Sequence, residues 1–172
     1  MNRAIFSLPP ETLYRTAGGL DIVRHAKPFS GGAKLDQLIE QLDSRRGVML
    51  SSGTTVPGRY ESFDLGFSDP PLVLETVGSN FSLSALNARG EVLIAFLGDV
   101  LREPCVVISK RSPARVPGHI TRGAAPIEED QRTRRASVMS LVRDLVAVLS
   151  ANDDPLLGLF GAFAYDLVFQ IE

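Results

Sequence analysis

The spacing of apolar and polar residues changes period several times along this chain, and each change predicts an element. In KLDQLIEQLD, residues 34–43, Leu35, Leu38, Ile39 and Leu42 recur at helical intervals and predict an amphipathic helix. DIVRHAKPF (21–29) predicts an extended strand with mixed faces, and VMLSS after Gly47 predicts a short buried strand. Residues 61–109 predict a β-rich region. There LVLETV enters behind Pro70 and Pro71 and stops at Gly78. SNFSLSALN alternates, with Phe81, Leu83 and Ala85 on one face and Ser82 and Ser84 on the other. NARG (87–90) predicts a turn, after which EVLIAFLGDVL pairs back as a hairpin, and PCVVISK predicts a further strand.

Residues 111–127 are rich in proline, glycine and basic side chains and predict a surface loop. From Glu128 to about Leu149 the period is helical again. Val138, Leu141, Val142, Leu145, Val148 and Leu149 form one stripe, and Glu128, Glu129 and Asp130 complement the dipole of the first turn. NDDP ends that helix. LLGLFGAFAYDLVFQIE then predicts a strand still running at residue 172. A long apolar edge strand without a polar tail invites aggregation. The expectation is therefore that residues 1–172 are the front part of a longer protein. With strands bunched rather than alternating with helices, the fold class is α+β, mainly antiparallel sheets with a few packed helices.

Composition narrows the picture. The chain of 172 residues has room for one domain with a real core, and its 44% hydrophobic and 22% charged residues are those of an ordinary globular protein. A formal net charge of −2 gives no footing for non-specific nucleic-acid binding or for anionic membranes. No apolar run approaches the roughly 20 residues of a membrane span. Pro9-Pro10 interrupts the N-terminus before any signal-peptide core develops. These features predict a cytoplasmic protein with neither a nucleic-acid nor a membrane partner.

Most candidate chemistry reads as structure. Cys105 is the single cysteine, so no internal disulfide forms, and its β-branched neighbours make it a core residue. His25 and His119 are far apart and lack metal-ligand spacing, so no metal site is expected. Gly18-Gly19 and Gly31-Gly32 predict turns, because Gly31-Gly32-Ala33-Lys34 lacks the spacing and the hydroxyl of a P-loop. Arg134-Arg135-Ala136-Ser137 looks like a basic-residue kinase site but falls within the long predicted helix. Asp153 and Asp154 read as the end of that helix. Asp166, within an aromatic strand, needs a partner or an edge position, and a buried arginine is the favoured partner.

One stretch resists this treatment: LSSGTTVPGRYESFDLG, residues 50–66. It is either a polar loop between strands or a site. Ser51 and Ser52 follow directly on an apolar strand, and Arg59 returns past a Pro-Gly turn. Hydroxyls and a guanidinium converging on one spot suit a small zwitterion, with arginine on its carboxylate and hydroxyls or carbonyls on its ammonium.

The same residues carry a resemblance. Met49-Leu50-Ser51-Ser52 is similar to the strand-ending Leu-Leu-Glu-Ser pattern of the large, chorismate-using component of anthranilate synthase. Arg59-Tyr60-Glu61-Ser62-Phe63 resembles the Arg-Tyr-Ser/Thr-Phe strand that follows it there. Near the other end, Gly158, Gly161, Tyr165 and Asp166 match the family's Gly-x-x-Gly-x-x-x-Tyr-Asp segment. PPLVLE and ALNARGEVL fit the form fused to a glutaminase. The resemblance implies the N-terminal, regulatory region of an enzyme that converts chorismate and glutamine or ammonia to anthranilate and pyruvate, with Mg2+, in tryptophan biosynthesis. It implies that the catalytic residues and the Mg2+ lie in a chorismate-binding region outside this chain, and that the fragment alone is inactive. Ser52 matches the serine of the family's tryptophan feedback site, Ser51 replaces its glutamate, and Arg59 takes the place of a basic residue shaping that site. Gly161, Tyr165 and Asp166 are expected to support the pocket. The implied partners are L-tryptophan as effector, the chorismate-binding region, the glutaminase and a second copy in a homodimer. A related enzyme of the aminodeoxychorismate or aminodeoxyisochorismate type shares these features, and a structural domain with a vestigial pocket is the third reading.

Overall fold

The computed structural model describes residues 9–28, 33–52, 64–101, 105–121, 136–154 and 156–165. Strands β1 (Glu11–Arg15) and β2 (Asp21–His25) pair with each other. Helix α1 (Ala33–Leu42) precedes β3 (Gly47–Ser51) and β4 (Asp64–Ser68), which form a second two-stranded sheet. After these come β5 (Leu72–Val77), β6 (Asn80–Ala85), α2 (Ala88–Val100), β7 (Val106–Ile108), β8 (Arg115–Ile120) and α3 (Val138–Leu149). The last four strands make an antiparallel sheet in the order β5-β6-β8-β7. The α+β class read from the sequence is the class observed. The chain divides into two compact units, residues 1–14 with 22–70, and residues 15–21 with 71–172.

In the first unit α1 lies on the β3–β4 pair, and two glycines explain why it can come so close. A Cβ on Gly47 would meet Leu42 Cδ2 at 2.5 Å, and one on Gly66 would meet Leu38 Cδ2 at 2.9 Å and Met49 Sδ at 2.7 Å. Leu35, Leu38 and Leu42 of the predicted stripe are half-buried, whereas Ile39 is exposed. At the base of the hairpin Arg45 pairs with Asp69, and the Asp69 amide donates to the Arg46 carbonyl at 3.0 Å. In β1–β2, Arg24 Nη2 donates to Thr12 Oγ1 at 3.2 Å, and His25 Nδ1 lies 3.5 Å from Glu11 Oε2.

The second unit holds the buried core: Phe81 and Leu83 of β6, Val116 and Ile120 of β8, Ile94, Leu97 and Leu101, and Val138, Leu141 and Leu145 of α3. Phe81 and Gly118 are register partners, and the absent Cβ of Gly118 leaves room for the Phe81 ring, whose Cζ would lie 2.5 Å from it. The tip of the first hairpin also counts with this unit. There Gly19 adopts φ 93°, and the amides of Ala17 and Gly18 donate to Ser150 and Val148 carbonyls at 2.8 Å. Those bonds satisfy carbonyls at the C-terminal end of α3 that the helix itself leaves open.

Four expectations are corrected here. EVLIAFLGDVL is helix α2, not the return strand of a hairpin. Asn87, extended at φ −158°, accepts from the Gly90 amide as an N-cap, and Ile94, Leu97 and Leu101 then line one buried face. A continuous apolar run fits either element, and both an Asn-containing turn and an Asn N-cap suit NARG. Residues 115–120 form β8 rather than loop. Ser109 donates to the Pro117 carbonyl at 2.9 Å, the return bond is the one proline cannot make, and the β7 ladder stops at Ile108 with Gly118.

The last helix does not run through from Glu128. Ser137 is its extended N-cap, in a reciprocal capping box with Ser140, so α3 begins at Val138. Glu128, Glu129, Asp130, Arg134 and Arg135 lie outside the described residues. Leu156–Tyr165 form no strand. Asp154, buried, accepts from the Leu156 amide at 3.0 Å and turns the chain, and the following stretch exposes Leu159, Phe160, Phe163 and Tyr165. A strand exists only where another strand takes its backbone groups, and none of the described strands pairs with this stretch. Among the described residues, no helix is long and apolar enough to cross a membrane.

Candidate functional site

The serine pair sits where an apolar strand runs out. The ladder pairs Gly47 with Ser68, Val48 with Phe67, Met49 with Gly66, Leu50 with Leu65 and finally Ser51 with Asp64. The antiparallel pairing makes LSSGTTVPGRYESFDLG two strand ends and a connection between them. Residues 53–63 of that connection, Arg59 among them, lie outside the described residues. Ser51 is exposed, Ser52 is half-buried and Asp64 is exposed.

Strand alternation puts Ser51 on the face of Gly47 and Met49, which is the face α1 covers. Leu42 lies over Gly47, and Leu38 lies over the Met49–Gly66 pair. Four helical residues advance about 6 Å and two strand residues about 6.6 Å. The last rung of the sheet thus brings the Ser51 hydroxyl and the Asp64 carboxylate to one face. Hydroxyls accept and donate, and a carboxylate accepts only. This set can hold an ammonium group.

The remaining predicted residues are placed as follows. Gly161 and Tyr165 belong to the exposed stretch after α3. A Cβ on Gly161 would meet nothing within 4 Å, and Tyr165 is 87% exposed. Asp166, with its expected buried arginine, lies outside the described residues. Ser51 and Ser52 belong to the first unit, and Gly161 and Tyr165 to the second. Asp64 was not singled out in the sequence, because its relation to Ser51 depends on strand register across residues 53–63. Its one sequence signal is an acidic residue opening the strand that returns.

Other chemistry-bearing residues support structure. Cys105 is a free, partly buried thiol packed against the core. Asp154 does mark the turn after α3, as the NDDP pattern predicted. Among the described residues no three His, Cys, Asp or Glu side chains gather in a group that could hold a metal ion. The Arg15–Asp21 pair, at 2.6 and 2.7 Å, holds the Asp21 carboxyl below its usual value, chiefly through the hydrogen bonds from Arg15, with desolvation opposing and the charge of Arg15 adding a smaller lowering.

No family model matches the sequence. No solved structure matches it either. An anthranilate synthase of Azospirillum brasilense is 41% identical over 160 residues, which is 92% of this chain and 22% of that protein. The chain is therefore related to anthranilate synthase along 92% of its own length, and the match spans 22% of the relative's.

Proposed function

We propose that this chain is the regulatory part of an anthranilate synthase and carries its tryptophan feedback site at the end of β3. Ser52 contacts the effector, Ser51 lines the site, and Arg59 takes the effector's carboxylate. The intact enzyme converts chorismate and glutamine or ammonia to anthranilate and pyruvate. Its chorismate-binding region holds the catalytic residues and Mg2+, and its glutaminase supplies ammonia. The 172 residues alone form no anthranilate.

The observation that carries this reading is the 41% identity to an anthranilate synthase, joined to a serine pair at the end of a strand rather than within a core. The exposed apolar side chains of Leu159, Phe160 and Phe163 are further support. Apolar patches of this kind mark contact surfaces, and here they suit packing against the chorismate-binding region. Bound tryptophan acts by contacting two arrangements of the enzyme unequally, since only differential affinity shifts an equilibrium.

Calorimetry and anthranilate assays on the intact protein test the proposal. Heat of binding and inhibition by L-tryptophan are expected. Continued anthranilate formation with neither heat nor inhibition at millimolar L-tryptophan would sink the regulatory role.

A further inference from the structure

In the resemblance, Ser51 stands where the family has a glutamate, and a neutral hydroxyl holds an ammonium less tightly than a carboxylate does. The register of β3 on β4 offers a replacement. Ser51 and Asp64 are Cα partners on the last rung of the ladder. Directly opposed residues of an antiparallel pair project to the same face, with Cβ atoms about 4.5–5.5 Å apart. An ammonium, which donates three hydrogen bonds, fits between a serine hydroxyl and a carboxylate at that separation.

Asp64 is the single acidic residue of these two strands. It is exposed at the sheet end, and among the described residues it makes no ion pair like that of Asp69 with Arg45. Its neighbour along the strand, Leu65, points to the opposite face, so strand geometry fixes the direction of the carboxylate.

We propose that Asp64 is the ammonium-binding residue of the effector site, a carboxylate supplied from β4 in place of one supplied from β3. The ligand class is then an α-amino acid with a free ammonium group. This assignment rests on the feedback reading of the β3 end, and it names the group that the sequence comparison left without a partner.

The test is calorimetry of L-tryptophan on the intact synthase and its variants. Asp64→Asn is expected to weaken binding about tenfold, the difference between a charge-assisted and a neutral hydrogen bond. Asp64→Glu is expected to retain most of the affinity. Ser51→Glu in the Asp64→Asn background moves the carboxylate to the family's position and is expected to restore binding, which a loss caused by distortion would not allow. Wild-type affinity in Asp64→Asn overturns the assignment while leaving the feedback reading intact. Failure of the double variant to recover affinity overturns it as well. A wild-type protein that binds no L-tryptophan overturns the feedback reading itself, and Asp64's role with it.

Discussion

At Gly118 and Gly66 a missing Cβ decides how closely neighbours approach. A methyl at Gly118 would lie 2.5 Å from Phe81 Cζ and 2.6 Å from the Val107 carbonyl oxygen, and the backbone atom cannot move aside cheaply. Gly118→Ala is expected to cost about 1–3 kcal/mol, the usual penalty of overpacking, read as a lower urea midpoint. Gly66 faces the flexible ends of Met49 and Leu38, which can yield more readily. Asp21 makes a different point at this scale. Its carboxyl is held below the ordinary value, so the native state favours the ionised form. Its contribution is complete above the unfolded pKa of about 3.9 and is lost as pH falls through the lower native value. Urea midpoints measured from pH 6 down to 2 should show Asp21→Asn differing from the wild type most at the high end and converging at the low end. The pair is exposed, which keeps the difference small.

Elements in this chain are set as much by their caps as by their apolar content. Asn87 turns VLIAFL from a plausible strand into α2, and Ser137 with Ser140 starts α3 well after the acidic residues that suggested an earlier beginning. Asn87→Ala is expected to destabilise the second unit by about 1 kcal/mol, since the Gly90 amide loses its acceptor. Were this segment a strand, the same substitution would be close to neutral. A thermal melt separates the two. The β3–β4 pair shows the complementary case, in which an element was legible but its consequence was not. VMLSS read correctly as a strand as far as Ser51, though it is half-buried to exposed rather than buried, and the strand reading alone could not bring Asp64 opposite Ser51. That pairing needs the register, and the register depends on how many residues the connection spans.

At the scale of the whole molecule, the buried hydrophobic cluster among the described residues lies in the second unit. Leu97 and Leu145 are among its most buried side chains, at 0% and 2% exposure. Replacing either with alanine is expected to cost about 2–5 kcal/mol, because the surrounding helices and sheet cannot close the cavity fully. Chemical denaturation measures it. In the first unit, by contrast, Val48, Met49, Leu38 and Leu42 are only half-buried and Leu50 is exposed. Hydrogen exchange should therefore be faster for β3 and β4 amides than for β6 and β8.

Periodicity and local chemistry were enough for α1, β2, β3, β5, β6, β7, the stripe of α3 and the α+β class. Each depends on which residues recur at 3.6 or 2 intervals, and that is written in the chain. The likeness to anthranilate synthase and the polar break after Leu50 were legible for the same reason. Tertiary structure decided the rest. Arg115–Ile120 became a strand because β6 and β7 flank it, with Pro117 falling just past the end of the β7 ladder. Leu156–Tyr165, apolar enough to be a strand, did not become one, because no described strand supplies its hydrogen bonds. Asp64 came opposite Ser51 by register alone. Strand identity and cross-strand neighbours are properties of pairs, and a single sequence read along its length fixes only one member of each.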